Sequence, residues 1–178
     1  MDAERAKKSV QSDLINLECE VREQYEAITK SLIEKKLLIT TMESCTSGFV
    51  ASLLTDTEGA SAVFKGADVT YSNEAKMMRG VPERVIEEYG VYSSQTAAAM
   101  AAACKNSYKT NIGIGITGTF GNVDPENADS VAGEVYFAIN FDGKVKNCAI
   151  TLKPCASRFG YKLAVAKAVA DELMAFII

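Results

Sequence analysis

The sequence contains no histidine among its 178 residues. This absence excludes the Ser-His-Asp and Cys-His catalytic systems, and it also excludes metal sites built on imidazole ligands. Any hydrolytic reaction carried out by this chain must therefore use lysine, tyrosine, a carboxylate or a cysteine as its base. A catalytic site in this chain would therefore pair its nucleophile with one of these bases.

Long apolar runs are also missing, and none approaches the length that crosses a membrane. The N-terminal residues, MDAER, are mostly charged and show no signal peptide, so we expect a cytoplasmic protein without a membrane partner. The net charge of −4 argues against general binding to nucleic acid. A local basic pocket for one phosphate remains compatible with this charge.

The chain has five cysteines, but no two of them form a C-x-x-C pair. Without such a pair, and without histidine, few ligands remain for a zinc site, so we expect neither a metal nor another cofactor. The thiols are expected to be reduced and to act mostly as small core residues. They are Cys19, Cys45, Cys104, Cys148 and Cys155.

The length fits one domain with its own core. The first residues have few apolar side chains, so we expect residues 1–12 to be a poorly ordered N-terminal extension before a domain of residues 13–178. Helical and strand patterns follow one another along this domain, and a hairpin is predicted at Asp142-Gly143. These patterns predict an α/β fold: a single three-layer-like domain with a mixed β-sheet flanked by helices.

Apolar residues recur at spacings of three and four through the first predicted helix, which runs from Asp13 to about Lys36. This apolar stripe also resembles a short coiled-coil seam, so we expect it to support self-association, with a homodimer as the commonest outcome. The stripe consists of Leu14, Leu17, Val21, Tyr25, Ile28 and Leu32.

The stretch "ESCTSG" lies between an apolar run predicted to be a buried strand and a predicted helix. Ser44 stands at this junction, where free backbone N–H groups and the positive end of a helix can hold a phosphate or an oxyanion. Ser44 or Thr46 could instead be only the N-cap of the helix, which is the commoner role for such residues. The stretch does not match G-x-S-x-G, so the hydrolase elbow motif does not apply.

A second stretch, "VTYSNEAK", places Tyr71 at the end of a predicted strand and Lys76 about one turn into the next helix. A partly desolvated lysine loses its proton readily and can act as a base toward a serine. Lys76 could equally be a solvated surface residue, and Tyr71 an amphipathic residue at a strand end. Glu43, next to Ser44, could orient Lys76 or lie in solvent.

The stretch "GITGTFG" forms a glycine-rich turn after a buried strand, where open α/β sheets bind ligands. Glycine allows the backbone to approach a phosphate or a sugar closely, although a simple tight turn has the same composition. Arg158, at the start of the last predicted helix, could hold a phosphate or a carboxylate through its guanidinium, or be a surface charge.

In this order, "ESCTSG", "VFKGADVTYSNEAK", "GIGITGTFG" and "GEVYFAI" resemble the CinA C-terminal domain family, whose characterised activity is deamidation of nicotinamide mononucleotide (NMN). The resemblance runs from about residue 25 to the C-terminus. The family pattern is close to A-E-S-C-T-G-G, then V-x-Y-S-N-x-A-K, then I-T-G-x-A-G-P. Three such blocks at suitable separations are specific to this family.

The resemblance implies an amidohydrolase that converts NMN and water to nicotinic acid mononucleotide and ammonia, as part of pyridine nucleotide salvage. Ser44 matches the family's nucleophile, Lys76 its base and Tyr71 a hydroxyl in the same site. Backbone N–H groups of the turn after Ser44 would stabilise the oxyanion. The implied substrate-binding residues are Cys45, Thr46, Ser47 and Gly48 in this turn, Thr117, Gly118, Thr119 and Gly121 in the glycine-rich loop, and Arg158 for the phosphate.

The sequence departs from the family pattern at three places. Ser47 stands where glycine is common, Phe120 stands where alanine is common, and "CASRFGYK" lacks the glycine-aspartate that usually precedes the arginine. These differences bear on substrate preference and loop shape. The altered loop leaves open a non-catalytic member that binds or senses a nucleotide, and a cysteine amidase using Cys45 is a third hypothesis.

Overall fold

The computed structural model describes residues 2–128 and 130–177, with side chains from Gln11 onward. Helix α1 spans Asp2–Lys35 and ends where its predicted C-terminus lies. It includes residues 2–12, which are rich in alanine, lysine and other strong helix formers although they have few apolar side chains. Helical propensity therefore continues upstream of the apolar stripe, and the domain boundary at residue 13 stays a prediction.

Five strands form one sheet in the order β2-β1-β3-β4-β5. Strand β1 is parallel to its neighbours β2 and β3, whereas β3, β4 and β5 pair in antiparallel fashion. This arrangement confirms the predicted mixed sheet and the hairpin at Asp142-Gly143. The strands are β1 (Ile39–Glu43), β2 (Phe64–Val69), β3 (Ile112–Gly118), β4 (Glu134–Phe141) and β5 (Lys144–Thr151).

The remaining helices cover the two faces of the sheet and give a three-layer α/β domain. Helices α1 and α6 share one hydrophobic core with one face of the sheet, while α5 packs against the opposite face. The helices after α1 are α2 (Phe49–Thr55), α3 (Asn73–Met78), α4 (Glu83–Tyr89), α5 (Ser94–Tyr108) and α6 (Arg158–Ile177), with a 3₁₀ turn at Ala60–Ala62.

The "IGIGI" alternation of β3 explains how both faces of this strand are covered. Its isoleucines belong to the core shared with α1 and α6, whereas its glycines face α5. A Cβ atom added at Gly115 would lie 2.1 Å from the carbonyl oxygen of Ala97. The alanine-rich helix α5 therefore lies directly on the strand backbone, and this close approach requires glycine.

Most of the apolar stripe of α1 is buried within the same molecule. Val21, Tyr25, Ile28 and Leu32 have no exposed surface, and the Tyr25 hydroxyl donates a hydrogen bond to the Ala166 carbonyl of α6 at 3.0 Å. These four residues are therefore unavailable to a second copy of the chain, whereas Leu14 and Leu17 at the start of the stripe are only partly buried. A homodimer stays a prediction.

Within residues 2–128 and 130–177, none of the helices combines the length and apolar character needed to span a bilayer.

Candidate active site

Ser44 lies directly after β1, at the edge of the sheet where the carboxyl ends of the parallel strands β1, β2 and β3 meet. Its backbone N–H donates to the Ile116 carbonyl at 3.0 Å, which extends the β1–β3 ladder by one bond and fixes the residue. The side chain is 5% exposed and lines a cleft of about 300 Å³. This is the position at which α/β sheets bind ligands.

Lys76 reaches Ser44 from helix α3. The helix is held at its start by the hydroxyl of Ser72, which accepts the backbone N–H of Ala75 at 3.1 Å. The Lys76 ammonium nitrogen lies 3.3 Å from Ser44 Oγ and 3.1 Å from the Thr70 carbonyl oxygen. Lys76 is 1% exposed, so it is a buried residue in contact with Ser44 and not a solvated surface charge.

Burial lowers the pKa of Lys76 to about 8, because the charged form loses its hydration; nearby negative groups, with Asp124 and Glu74 among them, act in the opposite direction. A lysine with this pKa is neutral in roughly one molecule in ten at pH 7, against roughly one in three thousand for an exposed lysine. The site therefore holds a lysine that can accept a proton from the neighbouring hydroxyl.

The cleft is bounded by the turn after β1, the loop after β3 and the first residue of α6. Six of the residues predicted for the site line it: Ser44, Cys45, Tyr71, Gly118, Thr119 and Arg158. Lys76 lines a smaller adjoining chamber of about 200 Å³, which shares Tyr71, Ser72, Tyr92, Asp124 and Glu126 with the cleft. The predicted residues that do not line the cleft are Thr46, Ser47, Gly48, Thr117 and Gly121.

Arg158 and Tyr71 meet at the mouth of the cleft. The Arg158 guanidinium lies 5.0 Å from the centre of the Phe120 ring and donates to the Tyr71 hydroxyl at 3.3 Å. Phe120 in turn stacks on Tyr161 with the ring centres 5.3 Å apart. The phenylalanine that replaces the family's common alanine thus supports the arginine. Tyr71 is 64% exposed and contacts Arg158 rather than Ser44.

The two threonine hydroxyls of the glycine-rich loop hold the fold together. Thr117 is fully buried and donates to the Val91 carbonyl at 3.0 Å, and Thr119 donates to the Val131 carbonyl. Gly121 lies against Tyr161, whose hydroxyl would be 3.1 Å from a Cβ atom added there. The sequence places Thr117 in a substrate loop, whereas the geometry gives its hydroxyl a structural partner.

Neither Ser44 nor Thr46 caps the helix that follows this turn. Helix α2 begins only at Phe49, and its N-cap is Gly48 with φ of 86°, which has no side chain to cap the helix. The alternative that Ser44 or Thr46 is merely the N-cap is therefore wrong. Among the described residues, the backbone N–H of Gly48 has no hydrogen-bond acceptor, and those of Cys45 and Thr46 bond only to the Cys45 sulfur, which is a weak acceptor. They are available to a ligand in the way that an anion-binding turn requires.

Ser47 adopts a backbone conformation that favours glycine. Its φ is 48°, in the left-handed region, which costs a residue with a side chain about 1 kcal/mol. The hydroxyl accepts a hydrogen bond from the Lys162 ammonium at 2.6 Å. This departure from the family pattern therefore adds a side chain that bonds to α6 at the rim of the turn.

Glu43 has a role that the sequence analysis missed, because it neither orients Lys76 nor lies in solvent. Its carboxylate is fully buried and accepts the backbone N–H groups of Val50 at 3.2 Å and Ala51 at 2.8 Å, together with the Thr41 hydroxyl at 2.9 Å. It thus satisfies the first turn of α2 from the preceding strand. Side chains alternate along a strand, so the sequence could have shown that Glu43 lies on the same face of β1 as Thr41.

Replacing Glu43 with alanine is expected to lower the free energy of unfolding by about 2 kcal/mol, because two buried N–H groups at the start of α2 lose a charged acceptor. Urea denaturation of the variant measures this change. Glu58→Ala removes an exposed carboxylate close to the end of the same helix and should be nearly neutral. Equal stability of Glu43→Ala and Glu58→Ala would contradict this role.

Cys45 is part of the hydrophobic core although it follows Ser44. Burial, together with the nearby Glu43 carboxylate, raises the pKa of its thiol to about 12. A thiol with this pKa stays protonated at neutral pH and is a poor nucleophile. This environment argues against the cysteine amidase hypothesis.

A serine at the end of a central strand, in contact with a buried lysine, defines a Ser/Lys site on an α/β sheet. The chain belongs to the CinA C-terminal domain family, since the model of that family matches residues 22–175. The family predicted from the three sequence blocks is therefore confirmed.

Individual relatives agree with this family. A competence-damage inducible protein of Clostridium acetobutylicum is 47% identical over 116 residues, which are 65% of this chain and 28% of that protein. The crystal structure of a competence/damage inducible protein of Agrobacterium tumefaciens matches with a TM-score of 0.79 at 29% identity, covering 87% of this chain and 94% of that one. A CinA superfamily protein of Enterobacter cloacae gives 0.80 at 25% identity, covering 89% and 92%. The chain thus spans 28% of the length of the Clostridium relative and nearly all of these two structures.

Proposed function

We propose that this domain is an amidohydrolase that converts NMN and water to nicotinic acid mononucleotide and ammonia. The observation that carries the proposal is the 3.3 Å contact between Ser44 Oγ and the nitrogen of Lys76, a lysine that burial makes partly neutral. A hydroxyl beside a neutral amine is the nucleophile–base pair that amide hydrolysis needs when histidine is absent.

In the first half of the reaction, Ser44 Oγ attacks the carboxamide carbon of NMN while Lys76 takes the hydroxyl proton. The tetrahedral intermediate then collapses, the C–N bond breaks, and Lys76 returns the proton to the departing amine, which leaves as ammonia. In the second half, Lys76 takes a proton from water, and the water oxygen attacks the acyl carbon. Ser44 leaves with the proton, and nicotinic acid mononucleotide is released.

The developing oxyanion needs hydrogen-bond donors close to Ser44. The candidates for this role are the backbone N–H groups of Cys45, Thr46 and Gly48, because among the described residues none of them donates to an oxygen atom and only the weakly accepting Cys45 sulfur bonds to the first two. Removal of one such donor typically costs an enzyme about a hundredfold or more in rate. In this scheme the turn contributes its backbone to catalysis and its side chains to packing.

Arg158 would bind the phosphate of the nucleotide at the mouth of the cleft. Its guanidinium is held by the Phe120 ring and the Tyr71 hydroxyl, while a planar fork of donors remains suited to a phosphate. Tyr71 would then position Arg158 and close one side of the cleft. This differs from the hydroxyl role beside Ser44 that the resemblance implies for Tyr71.

Incubating the purified protein with NMN and measuring ammonia and nicotinic acid mononucleotide tests the proposal directly. Turnover supports the amidohydrolase. Tight binding of NMN in calorimetry without product would instead support the second candidate, a nucleotide-binding member of the family, which the Arg158–Phe120 stack at the cleft also accommodates. If the protein showed no turnover of NMN and no binding of NMN, this result would contradict both candidate functions.

The rate should depend on pH in the direction set by Lys76, because only the neutral amine can take the serine proton. We expect kcat/KM to rise as pH increases through about 8 and to level off above it, since the pKa of Lys76 is about 8 in the free protein. Ammonia release followed from about pH 6 to about pH 10 measures this profile. A profile that is flat or falls over this range would exclude Lys76 as the base.

A further inference from the structure

The cleft carries opposite charges on two of its walls. Asp124, in the loop after β3, and Arg158, at the start of α6, line the same cavity as Ser44. In the described part of the chain, neither side chain belongs to an ion pair. Because the two charges do not neutralise each other, both remain available to a ligand that lies between them.

Asp124 is held as a carboxylate by its surroundings. The Tyr92 hydroxyl donates to Oδ2 at 2.5 Å, the Asn127 side-chain amide donates to Oδ2 at 2.6 Å, and the Glu126 backbone N–H donates to Oδ1 at 3.0 Å. These donors, led by Tyr92, lower the pKa of Asp124 below its ordinary value. The carboxylate therefore has a fixed position and a negative charge at neutral pH.

Asp124 also stands at the reacting end of the cleft. It lines both the main cleft with Ser44 and the adjoining chamber with Lys76, and its charge acts on Lys76. An amide attacked by Ser44 would therefore place its ring near Asp124. Arg158 remains for the opposite, anionic end of the ligand.

We propose that Asp124 makes the cleft selective for an amide on a positively charged ring over the same nucleotide with a neutral ring. The inference rests on the proposed function, since it takes the pyridinium of NMN as the cation. The neutral counterpart is the 1,4-dihydropyridine form of NMN, which has nearly the same shape and the same phosphate. In a partly desolvated cleft, the attraction between a carboxylate and the pyridinium is several times stronger than in water. It acts on the ring charge alone.

The test is a binding experiment in the Ser44→Ala background, because binding is independent of the different reactivities of the two amides. Calorimetry should show NMN binding at least about tenfold more tightly than its dihydropyridine form, a difference of about 1.4 kcal/mol. Adding Asp124→Asn should weaken NMN binding about tenfold and leave binding of the dihydropyridine form within about twofold. The second ligand thus reports whether the Asn variant still forms the cleft.

Two further variants in the same background separate charge from loop structure. Tyr92→Phe removes a hydroxyl that holds the carboxylate but keeps its charge, and Glu83→Gln removes an exposed carboxylate that lines neither the cleft nor the chamber. Both should preserve the preference for NMN. Equal affinity for the two ligands in Ser44→Ala, or equal losses for both in Asp124→Asn, would overturn the inference. Ammonia release by the wild type, measured separately, shows whether the amidohydrolase proposal survives that result.

Discussion

Replacing Ser44 with alanine should reduce the release of ammonia from NMN by about a thousandfold or more, while NMN binding remains. The loss is expected because Ser44 Oγ supplies the electron pair that attacks the amide carbon, and no neighbouring group can replace it. The adjacent Cys45 has a pKa raised to about 12 by burial and stays a thiol. A steady-state assay gives the rate, and calorimetry gives the affinity.

Ser52→Ala is the matched control for this experiment, since Ser52 is an exposed serine on the helix that follows the turn. It should keep wild-type turnover. Full activity in Ser44→Ala would exclude the Ser/Lys mechanism altogether. If activity were retained in Ser44→Ala and lost in Cys45→Ala, the cysteine amidase hypothesis would replace it.

Replacing Lys76 with methionine should also reduce turnover by about a thousandfold. The same substitution should stabilise the fold at neutral pH. Methionine has a similar length, so it fills the same space without an amine to accept the serine proton. The stability gain follows from the lowered pKa, because folding buries an amine that is largely protonated at pH 7. The assay measures the first effect and thermal unfolding the second.

The sign of the stability effect follows from proton counting. The pKa of Lys76 is about 8 in the folded protein and near its ordinary 10.5 in the unfolded chain, so between these values the unfolded chain binds more protons. Wild-type stability should therefore contain a contribution that rises with pH from about 8 to about 10.5, and the advantage of Lys76→Met should shrink over that window. Lys65→Met, at an exposed position of β2, is the control and should show neither effect. A loss of stability in Lys76→Met at pH 7 would contradict this account.

Much of the local structure follows from patterns that are complete within a few residues. Ser72 and Ser93, each at the start of a helix, cap that helix with their hydroxyls. Asp142-Gly143 adopts the positive φ angles of a hairpin turn, and "IGIGI" forms a strand with two differently covered faces. Such features depend on side-chain alternation, caps and backbone freedom. They can be read without knowing what packs nearby.

The apolar stripe of α1 shows where sequence patterns stop being sufficient. Its period predicts the helix correctly, but it does not say whether the stripe meets another element of the same chain or a second copy. Tyr25 bonds to Ala166, which lies 141 residues further along the chain. Hydrophobic burial is non-directional, so the partner is set by the packing of all layers together.

For the candidate site, the sequence by itself determined the candidate residues, which are Ser44 after a strand and Tyr71 and Lys76 near a helix start. It also determined the family, through the motifs that contain these residues. Only the tertiary structure decided what surrounds them. Lys76 is buried in contact with Ser44, and Tyr71 accepts a hydrogen bond from Arg158. The Thr117 hydroxyl donates to the Val91 carbonyl, and Glu43 accepts a backbone N–H at the start of α2. The physical reason is that desolvation and hydrogen-bond partners depend on groups distant in the chain, which no local spacing specifies.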